Sequence, residues 1–118
     1  MPMKIPKADS DVTRVFEELT PDAIGVSTRK MFGQPSAFVN GNMFFGVFGR
    51  NLFVRLSELD RSEAKNEAGF TPFEPMPGRA MAEYWVLPAS VLRNTARARE
   101  WVARSLSYAS KLPPKKPK

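Results

Sequence analysis

The chain has 118 residues, with 18 lysines and arginines against 12 acidic residues, a formal net charge of +6, and neither cysteine nor histidine. This length suits one domain, which buries roughly two-thirds of the surface of its unfolded chain. The missing residue types exclude a disulfide framework, a thiolate zinc site, a cysteine nucleophile and a histidine that acts as general base or metal ligand.

The positive charge is concentrated at the two ends of the chain. Six lysines lie there: Lys4, Lys7, Lys111, Lys115, Lys116 and Lys118. The remaining 12 basic residues balance the 12 acidic ones, so residues 8–110 are formally neutral. A nucleic-acid-binding domain usually carries its basic excess on the folded body, where it neutralises phosphates. The composition of this body shows no such excess.

The first predicted element is an amphipathic helix over residues 9–19. Its apolar residues follow the i, i+3, i+4, i+7 spacing of one helical face: Val12, Val15, Phe16 and Leu19. Asp9 or Ser10 can cap its start. Pro21 disfavours helical geometry in the residue before it, so the helix ends there. A second short helical turn is expected over residues 21–25.

From Thr28 to Leu56 the apolar period changes to two, which predicts strands. The strands are expected near residues 29–32, 36–40, 42–48 and 51–56. Asn40-Gly41 is a strong hairpin signal because both residues tolerate positive φ. Gly49-Arg50-Asn51 predicts another tight turn, so the segment forms an antiparallel meander.

The second half continues with a polar helix that Ser57 caps and that ends near Gly69. The later elements are predicted as a short strand over 70–74, a strand over 79–87, a helical turn from Pro88 and a long helix after Asn94. The order α, three or four β, α, two β, α predicts an α+β domain in two layers, with helices on one face of an antiparallel sheet.

Three segments are expected along the chain: a disordered leader over 1–8, the folded domain over 9–111, and a disordered tail of lysines and prolines over 112–118. The leader contains no signal peptide, and no segment approaches the roughly 20 apolar residues of a membrane helix. We therefore expect a cytoplasmic protein that does not contact a membrane.

Several short motifs, in this order, resemble the N-terminal domain of the TfoX/Sxy competence-regulator family. They are Arg29-Lys30-Met31-Phe32-Gly33, Asn40-Gly41 before Met43-Phe44, Leu52-Phe53-Val54, Gly69-Phe70 with Pro72-Phe73, Met81 with Tyr84 to Pro88, and Trp101-Val102. The resemblance covers about residues 9–110, and it implies the same α+β fold and a link to transcription or competence regulation. It is to a single-domain member, so activities that depend on a second, helical domain are not implied. Gln34-Pro35-Ser36 departs from the small residue that commonly follows Gly33.

Strand alternation predicts an apolar face on the side of the sheet away from the helices. Phe44, Phe48 and Phe53 are expected on this face, opposite Phe45 and Val54. A large apolar patch on a domain usually marks an interaction surface. We therefore predict a protein partner or a second copy of the chain, most simply a twofold homodimer. The alternative is that these aromatic residues belong to ordinary half-buried strands.

A second candidate surface is basic. It comprises Arg93, Arg97, Arg99 and Arg104 on or near the last helix, with Lys115, Lys116 and Lys118 in the tail. Four arginines on one helix face could bind phosphates, although a solvated face with Glu100 among them is the commoner use of this pattern. Weak nucleic-acid binding is therefore the alternative function.

The sequence assigns no catalytic, metal-ligating or cofactor-binding residue. The acidic pairs Asp9/Asp11 and Glu17/Glu18 have no third ligand beside them, and acids are favoured near a helix N-terminus in any case. The sequence therefore predicts a non-enzymatic interaction module without a cofactor.

Overall fold

The computed structural model describes residues 10–31, 34–67, 69–74, 78 and 83–114. Over these residues the chain forms four helices and six strands. The elements are α1 (Ser10–Leu19), β1 (Val26–Met31), β2 (Gln34–Val39), β3 (Asn42–Phe48), β4 (Asn51–Arg55), α2 (Glu58–Asn66), β5 (Thr71–Pro72), β6 (Tyr84–Val86), α3 (Ala89–Leu92) and α4 (Thr95–Ser110). All strand pairs are antiparallel, in the order β1-β2-β3-β4-β6-β5.

The core lies between the sheet and the helices. α1 and α4 both contact β3 and β4, at the centre of the sheet. Phe16 of α1 stacks on Phe45 of β3 with ring centroids 4.8 Å apart, and Trp101 of α4 is buried in the same cluster. Leu52 and Val54 complete it from β4. The predicted α+β class is therefore confirmed, and Val12 and Leu106 are partly buried at the margin of this cluster.

The first meander follows local turn chemistry. Asn40 and Gly41 have φ of 51° and 83°, as the predicted hairpin requires, and Gly49 has φ of 64° in the next turn. The helical turn expected over residues 21–25 is wrong. The chain instead makes a tight turn closed by the Val26 N–H, which donates to the Ala23 carbonyl, and then enters β1 three residues earlier than predicted.

The second half is less regular than predicted. Ser57 caps α2 by accepting a hydrogen bond from the Asp60 N–H at 3.2 Å, as expected, but the helix ends at Asn66 with Glu67 as its C-cap rather than at Gly69. The two later strands are short, with two residues in β5 and three in β6. Residues 75–77 and 79–82 of these predicted strands and their turn lie outside the described residues.

The folded domain extends beyond the predicted boundary at residue 111. Leu112 packs against the core, and the Pro113 carbonyl accepts a hydrogen bond from Asn42 Nδ2 at 3.0 Å. The prediction that a disordered tail begins at Leu112 is therefore wrong for these two residues, because leucine adds apolar burial at the end of α4. The predicted leader over 1–8 and residues 115–118 lie outside the described residues.

Candidate functional site: an open sheet edge and its cleft

β1 lies at the end of the strand order, and over the described residues only β2 pairs with it. The Asn40 N–H donates to the Gly25 carbonyl at 3.2 Å, so the opposed residues Gly25 and Asn40 form a hydrogen-bonded pair of the ladder. In an antiparallel ladder such pairs alternate with pairs whose backbone groups point outward. Thr28 and Lys30 belong to the pairs whose backbone N–H and C=O groups point away from β2. The outer edge of β1 therefore offers backbone donors and acceptors to another strand.

A cleft of about 700 Å³ adjoins this edge on the helix side of the sheet. Thr28 and Lys30 lie opposite Ala37 and Pro35 of β2, and Ala37 belongs to the core, so these side chains share the helix-facing side. α1 packs over β3 and β4 and leaves the outer strands less covered. Phe16 of α1 forms part of the cleft wall. The cleft is thus an extension of the core layer that is open at the strand edge.

Charges of both signs line the cleft. Glu17 of α1 and Asp22, in the turn before β1, are acidic, whereas Arg29 and Lys30 occupy the second half of β1. The Arg29 guanidinium lies over the Phe38 ring, 4.1 Å from its centroid, on the other face of the sheet. An occupant of this edge therefore meets acids near the beginning of β1 and bases near its end.

Two of the three phenylalanines predicted to form an exposed face, Phe44 and Phe53, are buried instead. A bulge causes the difference: Ala37 lies opposite Phe45 and Phe38 opposite Met43, so Phe44 has no partner in the register. Alternation fails at that point, and Phe44 is 0% exposed in the core cluster beside Phe45.

The other two phenylalanines are covered from within the chain. Phe53 is 3% exposed because Phe73, which follows β5, stacks on it with ring centroids 4.3 Å apart. The Phe48 ring makes an edge-to-face contact with the same Phe73 ring, with centroids 5.4 Å apart, and stays partly exposed. The prediction of an exposed face is therefore wrong for Phe44 and Phe53.

The predicted basic surface is divided. Arg104 is ion-paired with Asp60 at 3.3 Å, with Glu100 at 3.0 Å and with Glu63, and it lies over the Trp101 ring. The acids on α2 account for this, because α2 and α4 are neighbours although they are far apart in sequence. Arg104 is thus neutralised inside the fold.

The other three arginines differ from one another. Arg97 is ion-paired with Glu67, at the end of α2. Arg93 and Arg99 are exposed and make no ion pair with any described residue. Two of the four arginines of the candidate basic surface are therefore ion-paired within the fold, its binding of phosphate stays a prediction, and Lys115, Lys116 and Lys118 lie outside the described residues.

A polar cluster that the sequence did not indicate joins β4, the residue before β6, and α4. Arg55 Nε donates to Glu83 Oε1 at 2.7 Å, and the Tyr108 hydroxyl donates to Glu83 Oε2 at 2.8 Å. Burial would raise the pKa of Glu83, but the hydrogen bonds from Tyr108 and Arg55 outweigh it and lower the pKa below its ordinary value. All the ionised groups are paired, which indicates a structural tie rather than a reactive site. Arg55, at the end of the apolar strand β4, was the sequence signal that could have indicated this cluster.

Gln34 is a second residue whose role was missed. It is 1% exposed, and its Oε1 accepts a hydrogen bond from the Gly49 N–H. Its Nε2 is buried and has no hydrogen-bond partner among the described residues. Gln34 therefore ties the start of β2 to the turn between β3 and β4.

These features define an α+β domain with an open sheet edge. The model of the TfoX N-terminal domain family matches residues 17–109, and the chain belongs to this family. The family suggests a domain related to competence or regulation. A comparison with curated proteins gives no match.

Among the described residues, no helix has the length and apolar character needed to cross a membrane. Within the same part of the chain, no group of three or more acidic side chains is placed to hold a metal ion.

Proposed function

We propose that this domain is a non-enzymatic, cytoplasmic interaction module with a regulatory role, and that it binds a protein partner through the outer edge of β1. The observation that carries this proposal is the pair of outward backbone positions at Thr28 and Lys30. Natural proteins usually shorten, cover or pair such edges. Over the described residues this six-residue edge strand carries no neighbour on its outer side.

The cleft supports the same proposal. In strand addition, main-chain hydrogen bonds supply affinity, and pockets for every second side chain supply specificity. A strand placed beside β1 would direct one set of side chains toward the cleft and the other set toward Arg29 and Phe38. Both sets therefore have surfaces to contact.

A pair of substitutions at Thr28 tests the proposal. Thr28→Pro removes an outward N–H that the sheet itself does not use, and proline is tolerated on edge strands. Thr28→Val keeps the N–H and the shape of the side chain. Tagged wild-type protein and Thr28→Val should capture the same partner from a lysate of the native organism, whereas Thr28→Pro should lose it.

Circular dichroism and thermal melting provide the folding control for these variants. A folded Thr28→Pro protein that captures the partner as well as the wild type does would show that the edge of β1 is not the binding surface.

Binding of nucleic acid through the arginines is less well supported. Arg97 and Arg104 already make ion pairs with α2 and its C-cap, so phosphate would have to displace carboxylates from them. Only Arg93 and Arg99 of the predicted arginines are exposed without such a pair among the described residues. The observations therefore favour a protein partner.

A further inference from the structure

We propose that the strand added to β1 is the β1 strand of a second copy of this chain. The two strands run antiparallel about a twofold axis, with Thr28 opposite the partner's Thr28, and they join two six-stranded sheets into one. This inference rests on the proposed function, since it requires that the edge of β1 accepts a strand. It adds the identity of the partner and the register.

The free backbone groups of the edge match this register. Thr28 and the partner's Thr28 would exchange two hydrogen bonds across the axis. The Lys30 N–H would donate to the carbonyl of the partner's Val26, and the reciprocal bond follows from symmetry. The Val26 N–H would be the second donor of this pair, but it already donates to the Ala23 carbonyl at 3.1 Å, so each pair of Lys30 with the partner's Val26 forms one of its two bonds. The pairing thus uses the outward donors that the turn before β1 leaves available.

Charge excludes the neighbouring registers toward the end of the strand. An axis at Arg29 or at Lys30 would place two arginines or two lysines directly opposite each other, which is unfavourable in a strand pair. With the axis at Thr28, Arg29 lies opposite the partner's Ser27 and Lys30 opposite the partner's Val26, and both of these are uncharged.

The charge order along the edge suits a second copy better than an acidic peptide. Asp22 precedes β1, whereas Arg29 and Lys30 lie in its second half. A twofold axis reverses this order in the partner, so the bases of each chain approach the acidic end of the other. A uniformly acidic peptide would instead meet Glu17 and Asp22 in the lining of the cleft.

An exposed apolar side chain lies at the same edge. Ile24 is 102% exposed, immediately before Gly25 and β1. In the proposed pair it lies near the end of the partner's β1, where the partner's Lys30 and Pro35 line the cleft. Association would therefore remove an isolated isoleucine from water.

Cross-linking tests the register directly, because the chain contains no cysteine. In Thr28→Cys the two substituted residues face each other across the axis, with Cα atoms about 5.5 Å apart, within the roughly 4.4–6.8 Å range of disulfides. Lys30→Cys is the matched control on the same strand and face. Its two positions are four residues apart along the strands, about 13 Å. Mild oxidation should therefore give a covalent dimer of Thr28→Cys and not of Lys30→Cys.

Solution mass is the second measurement. At tens to hundreds of micromolar, light scattering should report twice the 13.2 kDa chain mass for the wild type and for Thr28→Val. Thr28→Pro should return to the mass of one chain. Equal cross-linking of Lys30→Cys and Thr28→Cys would overturn the register. A wild-type protein that stays a single chain throughout, with no cross-link at Thr28→Cys, would overturn the second copy as partner.

These outcomes separate the two proposals. If the wild type is a single chain but Thr28→Pro alone loses a partner from the lysate, the edge binds a different protein and the proposed function stands. If Thr28→Pro also leaves that capture unchanged, the edge of β1 is not an interaction surface and both proposals fail.

Discussion

Gln34 shows how one buried amide can hold a turn in place. Its carboxamide oxygen accepts a hydrogen bond from the Gly49 N–H. Its carboxamide nitrogen is buried and has no acceptor among the described residues. A satisfied acceptor and an unsatisfied donor therefore share one side chain. Since a buried group that loses its partner keeps its full desolvation cost, this position is sensitive to small changes.

We expect Gln34→Ala to destabilise the protein by about 2–4 kcal/mol, because it leaves a cavity and deprives the Gly49 N–H of its acceptor. Gln34→Met fills most of the same space without an acceptor and should lose less. Urea denaturation followed by circular dichroism measures both. A Gln34→Ala protein as stable as the wild type would contradict this account.

Gly46 is required for a close approach between β3 and β4. A Cβ at this position would lie 2.6 Å from the Phe53 ring and 2.9 Å from Ser36 Oγ. The ring has no room to move because it stacks on Phe73. Gly46→Ala should therefore cost about 1–3 kcal/mol of unfolding free energy through overpacking.

A double-mutant cycle distinguishes overpacking at Gly46 from a general backbone effect. Phe53→Leu replaces the aromatic ring that the new methyl group would meet with a smaller side chain. If overpacking is the cause, the double variant should be more stable than the sum of the two single effects predicts. Strict additivity would indicate that the contact with Phe53 is not the source of the loss.

At the scale of elements, the cluster of Arg55, Glu83 and Tyr108 joins β4, the start of β6 and α4. Arg61, on α2, lies 3.9 Å from the same carboxylate. Glu83 therefore receives contacts from three different elements. Its pKa is lowered because hydrogen bonds from Tyr108 and Arg55 outweigh the effect of burial.

The lowered pKa of Glu83 gives a signed expectation for stability against pH. Its contribution is fully present above the ordinary value of 4.5 and is lost as the pH falls through the lower folded pKa. Glu83→Gln should therefore be less stable than the wild type at neutral pH, and the difference should shrink in acid. Urea midpoints at several pH values test this, with Tyr108→Phe as a partial loss. A difference that is constant with pH would contradict the assignment.

Local signals were sufficient for much of the element pattern. The spacing of α1, the Asn40-Gly41 turn and the Ser57 cap are each encoded within a few residues, and each was predicted. The bulge at Phe44 was not, because a single extra residue in a strand leaves alternation looking normal on either side. The cover of Phe53 by Phe73 was also missed, since it depends on a contact across the sheet.

The candidate site was predicted only in kind. An interaction surface on the sheet was predicted, but the face at Phe44 and Phe53 was wrong and the edge of β1 was not singled out, and the ion pairs of Arg104 depend on α2 lying beside α4. The spacing of residues indicates which side chains lie on the same element. It does not indicate which charged side chains of another element will contact them.

At the scale of the whole molecule, the body is formally neutral, and Arg97 and Arg104 are already ion-paired with carboxylates of the fold. We therefore expect nucleic-acid binding, where it occurs, to depend on the terminal lysines, to ignore base sequence and to fall steeply with salt through counterion release. Deleting residues 115–118 removes three of the six terminal lysines and should weaken this binding strongly, while keeping Leu112 and Pro113 in place. Fluorescence anisotropy with a labelled oligonucleotide measures both effects.

Arg93→Ala combined with Arg99→Ala is the matched comparison, because it removes two exposed arginines and no ion pair among the described residues. If this variant loses nucleic-acid binding that resists salt, and the protein without residues 115–118 keeps it, the folded body carries a recognition surface.

The position of β6 between β4 and β5 bears on how the chain folds as it is made. β1 to β4 pair with sequence neighbours, so short loops close them early. β4 receives its second neighbour, β6, only when residues Tyr84–Val86 are available. β5 depends on the same residues, because it also pairs with β6. Until then β4 is an additional open edge, and incompletely paired strands associate readily with one another. A nascent chain paused before Val86 is therefore the form most exposed to aggregation on a crowded polysome.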